Sequence, residues 1–422
     1  MFHYGKLIKD YRKRKQMTQK ELAIVSDCSD SYISKMETGK IEPPNELLVK
    51  ISEILEIKEL QGDYTAAHIL EEKLEEWHTA ITDHQLPIAD KLFNEIKPNI
   101  PIHRIELNTR YYIFLFRYFL LQFDHTKAKT LLPKIMSLTK TVYEPELYIC
   151  YKSLGYYFIL DHDYKNAFHY LQLALGLKES IDNEDPEIHI YFAIIYIFLN
   201  KPADAENEIF KAKHQYEKSI DPINNLLCKY LLTIPDIMLH KYDEAIVSLT
   251  NILEQSSHHT LQIKYEFIYV TLGYIYTELK DFNKAVTLLK KAISAENIPS
   301  FKVKYLYFLA IVYAENGQKK EAIDYIQIGL RLKANEKYQH LLYMLKQIIT
   351  DRLYSSHSLL YLQENMLPFF SSRGDRMQFN ECHLMLAAIY RKMFQYKKAS
   401  YHLYNVINDD FQLAELTEKY ST

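Results

Sequence analysis

Seven basic side chains fall between residues 6 and 20, namely Lys6, Lys9, Arg12, Lys13, Arg14, Lys15 and Lys20, against Asp10 alone. A local excess of positive charge suits a surface that meets a polyanion, although Lys13–Lys15 alone can equally be a solvated helix end. Chemistry that makes or breaks bonds has no comparable foothold. The chain lacks a GxxxxGK(S/T) phosphate loop, a GxGxxG turn, an HExxH metal helix and a GxSxG nucleophile elbow. Its 17 His are scattered, and His258-His259 are adjacent rather than at the helical spacing of metal ligands. Cys28, Cys150, Cys228 and Cys382 form no CxxC pair, which suits a reducing compartment and argues against a thiolate zinc site. No enzyme, metal or cofactor is expected.

The elements that carry these side chains are helices. Only 9 of 422 residues are Gly, where roughly 7% would be usual, and glycine is the residue, short of proline, that a helix interior tolerates worst. An all-α fold follows. Across the whole chain 51 basic and 54 acidic residues nearly cancel, so global charge points to neither nucleic acid nor membrane. The N-terminus has no uninterrupted apolar segment of signal-peptide type, and the most apolar stretches, Tyr111–Leu121 and Ile190–Leu199, are too short to span a bilayer. A soluble cytoplasmic protein is expected.

In the first sixty residues, Leu7, Ile8 and Tyr11 recur at helical spacing. Thr18 with Glu21 predicts a capping box at the start of a second short helix. A third helix is expected over Ser31–Glu37 with Gly39 as its stop, and a fourth after Pro43-Pro44. The segment TQKELAIVSDCSDSYISKME, followed by TGK and PP, resembles the helix-turn-helix of the Cro/phage-repressor (XRE-like) family. The matching residues are Thr18-Gln19, Leu22-Ala23, Ile33-Ser34, Met36-Glu37 and Gly39. The resemblance implies that Thr18, Gln19 and Lys20 meet the DNA backbone or a base edge. It implies a reading face of Ser29, Asp30, Ser31, Tyr32 and Lys35 in the major groove, and a structural ion pair between Arg12 and Glu37. Asp27 stands where the family often has Gly, and Asp30 is an acid where a basic or amide side chain is usual.

The remaining residues repeat. LGYYFILDHDYKNAFHYLQLAL from Leu154 and LGYIYTELKDFNKAVTLLKKAI from Leu272 share Gly, an aromatic three residues on, Ala at twelve, an apolar residue at sixteen and Ala at nineteen. This resembles the tetratricopeptide repeat. The twelfth-position alanines run Ala128, Ala167, Ala205, Ala245, Ala285, Ala322 and Ala399, at spacings of 37 to 40 and one double spacing of 77. About nine helix pairs are expected, as a right-handed α-solenoid over residues 77–422, after a reader at 1–60 and a linker at 61–76 hinged at Gly62. An acidic stretch, Glu71–Glu76, is expected as a solvated helix face with Leu74 and Trp77 behind it. A loop is expected at Ser371–Arg376.

The first helix of each pair should line a concave surface. The facing positions include Tyr156, Phe198, Ile234, Met238, Tyr274, Glu278, Ile311 and Glu315. This apolar groove, with two acids flanking one side, suits a short peptide with hydrophobic anchors and a basic residue. It can also be covered by another helix or a partner subunit.

A phage-repressor-type reader followed by tetratricopeptide-like pairs is similar to the peptide-sensing Rgg/Rap/NprR/PlcR regulators, NprR-like members above all. The resemblance implies a quorum-sensing transcriptional regulator that binds an operator, a short signalling peptide and further copies of itself. A partner protein such as a sporulation response regulator, or a purely dimerising role for the repeats, are the rival readings. In that family groove asparagines commonly hold the peptide backbone, and none stands at these facing positions.

Overall fold

The computed structural model describes residues 4–41, 43–100, 104–181, 185–219, 221–257 and 265–407. Among them there is helix and no strand. Contacts divide the chain into two compact units, Met1–Glu146 and Leu147–Thr422.

The first unit opens with α1 (Tyr4–Arg14), α2 (Gln19–Ser26), α3 (Asp30–Glu37) and α4 (Asn45–Leu55). Thr18 caps α2 through the expected reciprocal box, its hydroxyl accepting from the Glu21 N–H while the Glu21 carboxylate receives the Thr18 N–H. Asp27 closes α2 in the left-handed region at φ 62°, the conformation that explains Gly at this place in relatives of the motif. Ile8, Leu22, Ile33, Met36, Ile51 and Leu55 fill one core between the four helices.

Four more helices follow in the same unit: α5 (Lys58–Thr82), α6 (Leu86–Ile96), α7 (Ile105–Leu121) and α8 (His125–Leu138). The backbone of α5 runs unbroken through residue 62, so the expected hinge is not a break in the helix. The compact units also part at residue 146 rather than at 76. Leu74 and Trp77 are fully buried, and Trp77 packs against Phe93, Tyr111 and Tyr118. The acidic face opposite is not wholly solvated, because Arg110 reaches Glu71 and Glu75.

The second unit alternates antiparallel helices. They are α9 (Glu146–Leu160), α10 (Tyr164–Ile181), α11 (Pro186–Phe198), α12 (Pro202–Lys218), α13 (Pro222–Met238), α14 (Tyr242–Ser257), α15 (Tyr265–Glu278) and α16 (Phe282–Ala295). Then come α17 (Pro299–Glu315), α18 (Lys319–Leu332), α19 (Glu336–Ile349), α20 (Ser356–Tyr361), α21 (Leu367–Arg373), α22 (Arg376–Lys392) and α23 (Tyr396–Ile407). A π turn at Leu362–Met366 marks the degenerate repeat that the double alanine spacing skipped. The expected loop at Ser371–Arg376 is a tight turn, with α21 ending at Arg373 and Gly374 at φ 68°.

The alanine series has a structural basis. Six of the seven are fully buried and Ala399 nearly so. Each stands five residues after a residue of positive φ: Phe123, His162, Asn200, His240, Lys280, Gly317 and Phe394. The left-handed residue reverses the chain between paired helices, and the alanine is where the second helix touches the first. Only one of these turns uses glycine, which accounts for much of the low glycine content. At Gly155 an added Cβ would lie 2.6 Å from Leu171 Cγ, and at Gly273 it would lie 2.8 Å from Leu289 Cγ. These are the first and sixteenth-offset positions of the repeat, in contact.

Candidate DNA-reading surface and enclosed repeat face

In the first unit, α3 is held by its buried end. Glu37 accepts from Arg12 Nε and Nη2 and from Gln19 Nε2, the last two at 2.8 Å. Burial pushes the Glu37 carboxyl up, but the Arg12 and Gln19 hydrogen bonds outweigh it and hold it below the usual carboxylate range. The Arg12–Glu37 pair implied by the resemblance is therefore present. Ser29 caps α3 by accepting from the Tyr32 N–H at 3.2 Å. Ser29, Asp30, Ser31 and Lys35 face solvent and Tyr32 is half-buried, so these side chains share one accessible edge of α3.

Two parts of the basic cluster serve the fold rather than a ligand. Arg12 is consumed by Glu37, and Lys15 binds the Ile54 carbonyl at 2.9 Å and the Glu56 carboxylate at 2.7 Å. Gln19 has one amide N–H committed to Glu37, and Thr18 is committed to its cap. Lys13, Arg14, Lys20 and Lys35 remain exposed as cations around α2 and α3.

In the second unit, the six apolar and aromatic facing positions are all half-buried, whereas Glu278 and Glu315 are exposed. Tyr156 stacks on Tyr191 with centroids 4.7 Å apart, and Phe198 stacks on Tyr164 at 4.3 Å. Tyr274 meets Phe308 edge-on at 6.1 Å. The expected acidic flank is partly offset, since Glu315 pairs with Lys280 at 2.6 Å, while Glu278 adds only to the field on the same lysine.

The repeats close on themselves. Arg373 donates to the carbonyl and carboxylate of Asp161, both at 2.7 Å. The Asn335 amide meets His162 Nε2 at 3.0 Å, while His162 Nδ1 meets the Tyr164 hydroxyl at 2.9 Å. Lys337 pairs with Asp375 at 2.6 Å and sits 4.7 Å from the Phe198 ring centroid. A belt of rings results: Phe198 and Tyr164, then His162, Tyr338 at 6.1 Å, Tyr307 at 5.8 Å, Phe308 and Tyr274. It joins α11 to α15 across α19 and α17.

Position-by-position reading of the repeat missed Lys304, Tyr307, His162, Tyr338 and Lys337. Part of the signal was present. Lys304 and Phe308 precede Ile311 by seven and three residues on α17, which is the same helical face. His162, Tyr338 and Lys337 depend on closure and carry no local mark. The His258-His259 pair lies outside the described residues. Among the described residues no three His, Cys, Asp or Glu side chains are grouped as metal ligands, and no helix is long and apolar enough to cross a membrane.

Residues 8–61 match the helix-turn-helix family model and residues 268–298 the tetratricopeptide repeat model. The transcriptional activator NprA of Geobacillus stearothermophilus is 24% identical over 395 residues, covering 88% of this chain and 95% of the relative. Response regulator aspartate phosphatase I of Bacillus subtilis (strain 168) is 22% identical over 338 residues, covering 74% of this chain and 83% of that protein. The crystal structure of NprR in complex with its cognate peptide NprX superposes with a TM-score of 0.68 at 15% identity, over 80% of this chain and 98% of that one. The chain is thus similar along nearly its whole length to a transcriptional activator, and it carries a helix-turn-helix match followed by a tetratricopeptide-repeat match on a fold shared with NprR.

Proposed function

We propose that the chain is a sequence-specific DNA-binding transcriptional regulator whose repeat domain senses a short signalling peptide and thereby sets its oligomeric state. The observation that carries this reading is the pairing on one chain of a solvent-facing α3 edge, Ser29 to Lys35, with an aromatic-lined face that the repeats enclose. The relative named as a transcriptional activator supports the first half, and the NprR–NprX complex supports the second. Thr18, Gln19, Lys20, Ser29, Asp30, Ser31, Tyr32 and Lys35 are the proposed DNA contacts. Tyr156, Phe198, Ile234, Met238, Tyr274 and Ile311 are the proposed peptide contacts, with Glu278 and Glu315 at the rim. No step of this function needs a catalytic residue, and a cytoplasmic location fits it.

Linkage is sufficient as a mechanism. A peptide that binds one oligomer geometry better shifts the population towards it, and two α3 helices enter successive major grooves only when about 34 Å apart or a multiple of that. Selection of genomic fragments on immobilised full-length protein tests the DNA half. Lys35→Ala with Ser31→Ala should lower retention at least about ten-fold with helical circular dichroism intact, and unchanged retention defeats it. Sedimentation with and without short peptides tests the other half.

The likeness to a response regulator aspartate phosphatase favours one second reading, in which the repeats dock a response regulator. Cosedimentation with purified receiver domains, with peptide absent, separates the two.

A further inference from the structure

The outward arc of α3 carries opposite charges at its two borders. At about 100° per residue, Asp30, Ser34, Ser31 and Lys35 follow one another round about 140° of the helix. Ile33, Met36 and Glu37 turn inward. Asp30 and Lys35 therefore stand at opposite edges, and they do not pair. Three other acids of the reader are spent on the fold: Glu21 closes the cap of α2, Glu37 holds Arg12 and Glu56 holds Lys15. Asp27 comes within 4.0 Å of Lys50. Asp30 is exposed and forms no ion pair among the described residues.

The first turn of α3 is fixed in place. Ser29 Oγ accepts the Tyr32 N–H at 3.2 Å, and Asp30 Oδ1 accepts the Ser31 N–H at 3.2 Å, so Oδ2 is left to face outward. Residues 8–61 match the helix-turn-helix model, and in that motif the N-terminal residues of the second helix meet the base edges. The positive end of the helix dipole favours an acid in this turn with or without a ligand. A reading role is therefore marked by base preference and not by stability.

An ionised carboxylate has acceptors only. In the major groove guanine shows two acceptors, thymine an acceptor and a methyl group, and adenine a donor beside an acceptor. Cytosine alone shows a donor with no acceptor of its own. Between two phosphate backbones an acid weakens binding unless it meets such a donor.

Building on the DNA-reading function proposed above, we infer that Asp30 is a specificity-determining residue. Its carboxylate accepts from the N4 amino group of a cytosine, which restricts one position of the bound site to that base.

Selection from a duplex library with a randomised core, on immobilised full-length protein, tests this with the wild type, Asp30→Ala and Asp30→Asn. One position should be enriched in cytosine about five-fold or more by the wild type. Asp30→Ala should bring that position to within about two-fold of parity while the other positions keep their bases. Asp30→Asn should lose the cytosine as well, with adenine, whose N6 and N7 suit an amide, as the expected replacement. On one selected duplex, changing that cytosine pair should weaken the wild type about five-fold or more and Asp30→Ala less than about two-fold. A merely structural acid would not produce that difference. No cytosine position in an otherwise enriched wild-type site, cytosine kept by either variant, or a change of retention common to all sequences overturns the inference and leaves DNA reading intact. Enrichment of no sequence by the wild type overturns sequence-specific DNA binding itself.

Discussion

Arg12 of α1 and Glu37 of α3 meet through two parallel hydrogen bonds, Nε to Oε1 and Nη2 to Oε2, with both side chains withdrawn from solvent. The reading helix is therefore anchored by its C-terminal end while its N-terminal edge stays open. Removing Glu37 leaves a buried guanidinium uncompensated, so Glu37→Ala should cost about 3–5 kcal/mol, whereas an exposed ion pair would cost under about 1. Hydrogen exchange of peptides covering residues 4–41 should report the loss, with exchange in the second unit unchanged.

The same pair sets an acid limit. Glu37 titrates below its ordinary 4.5 when folded, so the unfolded chain binds a proton first as pH falls. Stability from the pair is complete above about 4.5 and drains away below it, down through the folded value. Denaturation of the reader followed between pH 6 and 3 should show this slope, and Glu37→Gln should flatten it.

Much of this architecture is legible in the sequence because it is local. A capping box needs Thr and Glu three residues apart, and the contact of Gly155 with Leu171 is a fixed offset inside one helix pair. The features that were not legible depend on distant segments or on competition. Lys15 looks like a free cation until Ile54 and Glu56 are brought beside it. Gly62 looks like a hinge, yet a single glycine costs a helix only about 1 kcal/mol. The pairing of Lys337 with Asp375 becomes visible only once two later repeats are brought together.

Closure of the second unit leans on Arg373, whose two bonds to Asp161 span a sequence separation of 212 residues and whose guanidinium lies 4.5 Å from the Phe369 ring centroid. Arg373→Ala should weaken that contact by about 1.5–3 kcal/mol, the range for hydrogen bonds to charged groups. Faster exchange confined to peptides around 161–168 and 370–376, with core helices α15 and α16 unaffected, is the expected pattern. Uniform protection would show that the rings alone hold the closure.

His383 and His402 form the second titrating contact, Nδ1 to Nδ1 at 2.9 Å between α22 and α23. One must donate and the other accept, so both cannot carry a second proton and keep the bond. Burial, with His402 and Arg376, lowers His383 to about 4, and burial lowers His402. Because the unfolded imidazoles protonate from about 6.5 downward, whereas folded His383 protonates only near 4 and folded His402 also below its ordinary value, stability falls as pH drops below about 6.5. Exchange protection of residues 376–407 should fall about ten-fold or more between pH 7 and 5, and His402→Phe should reduce the change.

The repeat's own packing rule can be tested by giving glycines a methyl group. Gly155 has no room, since its Cβ would overlap Leu171, whereas Gly176 on α10 has nothing within 4 Å. Gly176→Ala removes only backbone freedom and should stabilise by about 0.5–1 kcal/mol. Gly155→Ala gains the same propensity but forces α10 or Leu171 to move, and overpacking of this kind costs about 1–3 kcal/mol. Leu171→Ala alone opens a cavity and should cost about 2–5 kcal/mol. If the clash is with the Leu171 side chain, the two losses cannot add, because the second change removes what the first collides with. Urea denaturation of the single and double variants should therefore give a double variant more stable than the sum of the single effects predicts, with a coupling above about 0.5 kcal/mol. Additive losses would place the close approach of α9 and α10 in the backbones instead.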